Sequence, residues 1–431
     1  MHEEGLVTVS GRAGMRRSPM PVLFMAVLVD MLGFGIVIPV LPFYALELGA
    51  TPVQVTLLIA SFSAMQMAAT PVWGRVSDRR GRRPLLIAGL FASAVSYLIF
   101  GLATSLLLLF VSRLAAGAAG GTISVAHAYI ADTTKADQRA HGMGLIGAAA
   151  GLGVMLGPVI GGLFSQLSMG APGFVAAGLC ALNAVAALLL LPESRPHSRS
   201  AGRHGEAATF AGWARAMTSF PLSLLLAVYF LGITSFTAMT ALLALFFEHA
   251  FGAGAEQMGL LFAVAGAVTV LVRGLALGRL VRRFGEIATV RMGACTLAAA
   301  LLLLPHLPSF GSAMFAVPLY AFGAGTLFPA LATLTSLATD ADSQGSILGG
   351  SQLVGGLGRV VGPLWAGVLF QEVATRAPFH LAAALTIVAL MLTVRIPSAL
   401  QSRRAVALAA ESAGAEAALG GNQPQVAPDS S

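Results

Sequence analysis

Apolar residues along this chain fall in twelve long runs separated by short polar stretches. The runs cover about 20–44, 55–73, 84–104, 106–131, 142–168, 172–192, 219–247, 256–277, 288–305, 310–338, 345–371 and 377–396. As a helix rising 1.5 Å per residue, about 20 apolar residues cross a hydrocarbon core of roughly 30 Å. Each run therefore predicts one membrane-spanning helix. Strands of a membrane barrel would alternate apolar and polar positions over about ten residues, and no such pattern is present. The chain reads as an all-α integral membrane protein with twelve transmembrane helices, and an even number leaves both ends on one side.

The polar stretches give the orientation. Between the second and third runs lies Gly74-Arg75-Val76-Ser77-Asp78-Arg79-Arg80-Gly81-Arg82-Arg83-Pro84, read as a tight turn carrying five arginines. Short loops rich in Arg and Lys stay on the cytoplasmic side. With that turn inside, the predicted cytoplasmic segments hold 21 of the 25 basic residues. Arg376 falls in an outside loop, and Arg113, Arg273 and Arg359 fall within helices. The asymmetry places both termini in the cytoplasm.

Composition narrows the class further. Of 431 residues, 57% are hydrophobic and 10% charged, with mean hydropathy +0.83; a soluble domain carries about 25% charged residues. The net charge of +7 is spread through short loops, so it sets topology and indicates no nucleic-acid surface. No GxxxxGK[ST] loop is present, so no nucleotide is expected. No His, Cys and Asp grouping has metal-ligand spacing, so neither a metal site nor an enzyme is expected. Cys180 and Cys295 read as small helix-packing residues. The first apolar run is full length and has no small-residue cleavage site, which predicts a retained first helix and no signal peptide.

The two halves repeat each other. Gly49-Ala50 and Gln54 recur as Gly252-Ala253 and Gln257, 203 positions on. Gly74-Arg75, Arg79 and Gly81 recur as Gly278-Arg279, Arg283 and Gly285 at 204. Gly144, Gly151, Gly153, Gly157-Pro158 and Gly162 recur as Gly349, Gly356, Gly358, Gly362-Pro363 and Gly367 at 205. The predicted organisation is a cytoplasmic tail (1–19), a six-helix bundle (20–192), a cytoplasmic linker (193–218), a second six-helix bundle (219–396) and a largely disordered cytoplasmic tail (397–431). Duplicated halves around a midplane site are the layout of rocking transporters.

Several of these stretches resemble one family. The turn at 74–84 is similar to the signature between helices two and three of the major facilitator superfamily, with Gly74, Asp78, Arg79, Gly81, Arg82, Arg83 and Leu86 in its positions. GAAAGLGVMLGPVIGG at 147–162 resembles the fifth-helix motif of drug/proton antiporters in that superfamily. DMLGFGIVIPVLP (30–42), RLAAGAAGGTISVAHAYIAD (113–132) and LPES (191–194) resemble the tetracycline exporter group. The resemblance implies the major facilitator fold of two pseudo-symmetric bundles. It also implies a drug/proton antiporter in a bacterial-type inner membrane, acting as a monomer on a small-molecule substrate, with the proton as coupling ion and no cofactor. Segments 84–104 and 288–305 carry no acid, although that group is expected to bear acids in helices three and nine.

Candidate residues follow. Asp30 is the one carboxylate expected near mid-membrane, where an unpaired charge costs several kcal/mol and acids are usually functional. Arg113, at similar depth, is the cation expected to modulate it, so the two form the proton-coupling pair. Gly74, Asp78, Arg79, Gly81, Arg82 and Asp132 are expected to make a cytoplasmic gate. Within it, Asp78 would meet the start of the eleventh helix near 343–345, and Asp78 and Asp132 would pair with Arg79 or Arg82. Gly147, Gly151, Gly153, Gly157, Pro158, Gly161 and Gly162 are expected to pack against the second half and seal it against proton leak. By analogy to the fold, Phe34, Gln66, Thr234, Phe236, Met239, Thr240, Tyr320, Phe328, Gln352 and Arg359 are expected to line an apolar substrate cavity. The expected activity is proton-coupled export of small amphipathic compounds, with tetracycline-like ones as candidates, by alternating access. A metabolite transporter, for a sugar for example, and a non-transporting receptor or scaffold are the competing readings.

Overall fold

A computed structural model describes residues 19–134, 136–194, 218–339 and 344–397. The expected tails and almost all of the expected linker lie outside them. The described residues form twelve helices long and apolar enough to cross a membrane: α1 (Met20–Glu47), α2 (Pro52–Arg80), α3 (Arg82–Gly101), α4 (Leu106–Thr133), α5 (His141–Ser165), α6 (Ala171–Leu190), α7 (Leu222–Phe251), α8 (Ala255–Phe284), α9 (Glu286–His306), α10 (Phe310–Leu337), α11 (Gly349–Glu372) and α12 (Ala377–Arg395). The chain is an all-α integral membrane protein.

Local sequence explains where these helices begin and bend. Thr51 accepts a hydrogen bond from Gln54 N at 3.4 Å, while Gln54 Oε1 accepts one from Thr51 N at 2.9 Å, which closes a capping box on α2. Its repeat keeps half of that device: Gln257 Oε1 accepts from Gly254 N at 3.1 Å, with glycine in place of the hydroxyl. α1 is interrupted between Val37 and Leu41, where Pro39 and Pro42 remove backbone donors. α8 contains one π-helical turn at Val272–Ala276.

One sequence expectation is corrected. The stretch 74–84 is not a loop, because α2 runs on to Arg80 and α3 starts at Arg82. The turn is Gly81 alone, at φ +93°, and Gly285 at φ +81° makes the equivalent turn in the second half. That backbone region is open to glycine and strained for other residues. The polar composition at 74–80 had concealed two further helical turns, whose basic residues sit at a helix C-terminus, where cations are favoured.

Helix packing follows the duplication. In the first half α1 packs on α5 and α6, α3 on α4 and α6, and α2 on α4. In the second half α7 packs on α11 and α12, α9 on α10 and α12, and α8 on α10. Adding six to each first-half number gives the second-half pattern. The halves meet through α2 with α11 and α5 with α8, a pair of contacts that the same operation exchanges. Lipid chains are as apolar as leucine, so close approach through small residues drives this association.

The contacts between halves are tightest at the end away from the arginine-rich turns. There Thr56 of α2 abuts Gly367 of α11, and Val53 N donates to Gln371 Oε1 at 3.3 Å. On the other side, a Cβ on Gly259 would stand 2.5 Å from Pro158 O, and one on Gly162 would stand 3.1 Å from Glu256 Cα. Toward the arginine-rich end, Gly144 and Gly147 of α5, Gly274 of α8 and Gly349 of α11 have nothing within 4 Å of a would-be Cβ. The halves close at one end and part toward the other.

Candidate functional site

Asp30 is buried within the first six helices, 4% exposed. Ser93 of α3 donates its hydroxyl to Asp30 Oδ1 at 2.9 Å. The Asn183 amide of α6 donates to Ala26 O at 3.1 Å, one turn away, and ties α1 to α6 beside the acid. Tyr97 and Cys180, both buried, lie within electrostatic reach of the carboxylate. Asp30 thus faces α3 and α6, away from lipid.

Arg113 is 3% exposed, with its guanidinium 5.1 Å from the centre of the Phe100 ring. Such stacking favours a desolvated cation. Its Nη2 has no hydrogen-bond partner among the described residues. Arg113 and Asp30 do not form an ion pair. Tyr97, also buried, lies within electrostatic reach of both. The sequence gives no signal for Ser93 or Tyr97, because a hydroxyl on an apolar helix carries no spacing that marks its partner.

At the arginine-rich end the gate residues converge on Arg82, which is 5% exposed. Its Nη2 lies 2.7 Å from Asp78 Oδ1, its Nε 3.0 Å from Asp132 Oδ2, and its Nη1 2.5 Å from Ser77 Oγ. A planar guanidinium spreads its donors over three nitrogens in a fixed fork and so reaches acceptors at separate positions, whereas lysine offers its three donors from one nitrogen. Glu193, expected in the linker, instead accepts from the backbone N–H groups of Arg82 at 3.1 Å and Arg83 at 3.4 Å. A carboxylate there satisfies exposed donors at the N-terminus of α3. Tyr129 adds a 2.6 Å hydrogen bond to Pro192 O, so the LPES stretch is bound down. Of the two arginines expected to pair with the acids, Arg82 does so, whereas Arg79 is exposed at the helix end. The expected contact of Asp78 near 343–345 falls on side chains outside the described set. Gly74 is within α2 with open space beside it.

The glycine motif serves two partners. A Cβ on Gly153 would stand 2.6 Å from Leu28 O, and one on Gly157 would stand 2.6 Å from Gly35 Cα, both on α1. Gly161 abuts Ile36 of the same helix. The second half is met by Gly162 and Pro158, and more loosely by Gly151, whose Cβ would lie 3.6 Å from Val270 Cγ2. Packing against the second half therefore describes part of the motif only. Three of its glycines bring α1 close to α5, and Gly147 touches neither partner.

The ten expected cavity residues do not form one group. Phe236 of α7 stacks on Tyr320 of α10 with ring centres 5.1 Å apart, and Phe328 meets Phe236 edge-on at 5.6 Å. Tyr320 donates to Phe236 O at 2.6 Å and shares a 3.0 Å hydrogen bond with Thr240. These four make one aromatic and hydroxyl cluster, extended by Tyr229 against Phe328 at 5.9 Å. Met239, at 0% exposure, belongs to the packed core and lines no cavity. Thr234 is likewise buried, against Gly358 of α11. Phe34 pairs with Phe62 at 5.3 Å, and Gln66 donates to Gly120 O at 3.4 Å, both within the first half. On α11, Gln352 is exposed and Arg359 half-buried. A recess of about 540 Å³ lined by Met65, Val72, Trp73, Leu85 and Ala118 holds none of the ten. It lies on the face of α2 opposite Met67, the residue that meets Gly356 of α11.

A duplicated twelve-helix membrane fold, with an arginine-centred turn and a glycine-lined fifth helix, defines a class of transporter, and the chain belongs to the Major Facilitator Superfamily, whose family model matches residues 23–363. Among its relatives is the tetracycline resistance protein, class C, of Escherichia coli, 33% identical over 348 residues that cover 80% of this chain and 87% of that protein. Multidrug resistance protein 1 of Bacillus subtilis (strain 168) is 29% identical over 377 residues, covering 86% and 95%. Among solved structures, the human organic anion transporter MFSD10 (TETRAN) superposes with a TM-score of 0.65 at 25% identity, covering 88% of this chain and 99% of that one.

Proposed function

We propose that the protein is a proton-driven exporter of small amphipathic compounds, in the class of drug/proton antiporters. It works by alternating access as a monomer in a bacterial cytoplasmic membrane, with its termini and arginine-rich turns inside. The observation that carries this reading is the state of Asp30: buried, held by the Ser93 hydroxyl at 2.9 Å, and without a fixed cation among the described residues. A carboxylate with a neutral partner can keep or lose its proton, whereas a fixed ion pair would hold it charged. Arg113, with an unspent N–H at Nη2, is the group that the carboxylate engages when its proton leaves. A proton crossing 100 mV releases about 2.3 kcal/mol to drive export.

The aromatic cluster of Phe236, Tyr320 and Phe328 supports the substrate class. An aromatic surface with few free polar groups suits a planar amphipathic molecule better than a sugar, which needs many donors and acceptors. Resistance named for tetracycline and for multiple drugs among the relatives agrees with that chemistry. The reading is tested by comparing drug susceptibility of cells expressing the intact chain with cells expressing Asp30→Asn. Protection by the intact chain that the variant loses supports it; equal protection by both overturns Asp30 as the proton carrier.

A further inference from the structure

A pair of histidines distant in sequence meets on the surface, at the end of the molecule opposite the arginine-rich turns. His306 closes α9 in a single tight turn, and His380 lies in the first turn of α12. Their Nε2 atoms are 3.3 Å apart, the ring centres are 5.5 Å apart, and both side chains are exposed. One imidazole can donate its N–H to the lone pair of the other, so the two nitrogens already point at a common position.

That geometry matches a second occupant of the same position. With Zn–N bonds of 2.0–2.1 Å and a tetrahedral angle, two imidazole nitrogens on one zinc ion stand about 3.3–3.4 Å apart, and their ring centres about 5 Å apart. We propose that His306 and His380 form a two-imidazole site for a borderline divalent transition-metal ion such as Zn²⁺ or Cu²⁺. Imidazole donors select these ions, whereas Mg²⁺ and Ca²⁺ require oxygen ligands. No third His, Cys, Asp or Glu joins the pair among the described residues, so water completes the coordination sphere from the exposed side.

The scaffold holds both rings in place before any ion arrives. α9 and α12 pack along their length, and at their far ends Arg291 Nη2 donates to Thr393 O at 3.1 Å. Little ordering remains to be done on binding, which is the condition for two ligands to act as a chelate. The two residues are 74 positions apart, so no sequence spacing reveals the site. Both belong to the second half, and the proposal stands whatever the transported compound is.

The test uses tag-free full-length protein in lipid nanodiscs, with His2, His141, His197, His204 and His249 changed to alanine to remove competing imidazoles. Zn²⁺ is titrated calorimetrically, and Mg²⁺ serves as the negative control. The expected result is one Zn²⁺ per chain, with affinity at least about 10-fold weaker in His306→Ala and in His380→Ala. The double variant should be no worse than either single one, because one ion needs both rings. Zinc should also raise the melting temperature of the parent and leave that of each single variant unmoved. Variants that match the parent's zinc-free melting temperature are folded. Unchanged zinc affinity in either folded variant, or losses that add as for two separate sites, overturns the proposal. His306→Gln and His380→Gln repeat the comparison if an alanine variant fails to fold.

Discussion

Gly157 of α5 and Gly35 of α1 lie backbone to backbone, so closely that a Cβ on Gly157 would stand 2.6 Å from Gly35 Cα. Gly147, nearly three turns earlier on the same helix, has nothing within 4 Å of its Cβ position. Gly157→Leu should therefore reduce folded protein in the membrane and abolish transport, while Gly147→Leu should leave both near the parent level. Detergent-extracted yield and drug efflux, measured side by side, check the contrast. Equal effects of the two substitutions would refute the α1–α5 contact.

Arg82 gathers two carboxylates and a hydroxyl, so its removal takes one cation from both acids. Breaking a fully buried pair from one side costs about 3–5 kcal/mol. The side chain of Asp78 is 34% exposed and that of Asp132 13%, so Arg82→Met should destabilise by less, about 2 kcal/mol. Arg82→Lys should recover part of this, since an ammonium keeps the charge but offers its donors from one nitrogen, where Arg82 uses three. Thermal unfolding of the purified variants measures the order parent, lysine, methionine.

Asp30 and Ser93 should separate in their effects. Asp30→Asn should lower drug-dependent proton movement in membrane vesicles at least about 10-fold, the scale of a lost essential proton carrier. Ser93→Ala keeps the titrating group and removes one hydrogen bond, worth about 1 kcal/mol. It should shift the pH at which transport is half-maximal while leaving the maximum within about threefold. A pH profile of vesicle transport distinguishes the two outcomes.

Alternating access predicts that the closed end must open. The Gln371 side chain accepts from Val53 N at 3.3 Å across the two halves, so cysteines placed at both positions should be bridged by a short bifunctional thiol reagent with a reducible spacer. Cys295, the exposed native thiol, is replaced with serine first. The cross-link should stop transport, and reduction should restore it. Full transport by the cross-linked protein would exclude opening at that end.

The helix number, the duplication and the arginine-rich signature were legible because each is written as local composition or as a repeat at fixed offset. The partners of those residues were not. Asp30 was identifiable as a lone acid in an apolar run, but its bond to Ser93 depends on how α1 and α3 are rotated. Arg113 was expected beside Asp30 because both lie at similar depth, yet depth leaves direction free and the ring of Phe100 takes the guanidinium instead. Glu193 looked like linker because it follows the last apolar residue of α6; its role at the start of α3 is a tertiary contact 111 positions away. Met239 was misread as a cavity residue because an apolar side chain in α7 carries no mark of whether core or cavity faces it.

The continuity of α2 through Arg80 has a mechanical consequence. The helix meets Gly367 through Thr56 near one end and Arg82 through Asp78 near the other. Those 22 steps at 1.5 Å each span about 33 Å. Because Thr56 and Asp78 share one helix, alternating access would carry displacement of α2 from α11 at one end toward the Arg82 pair at the other.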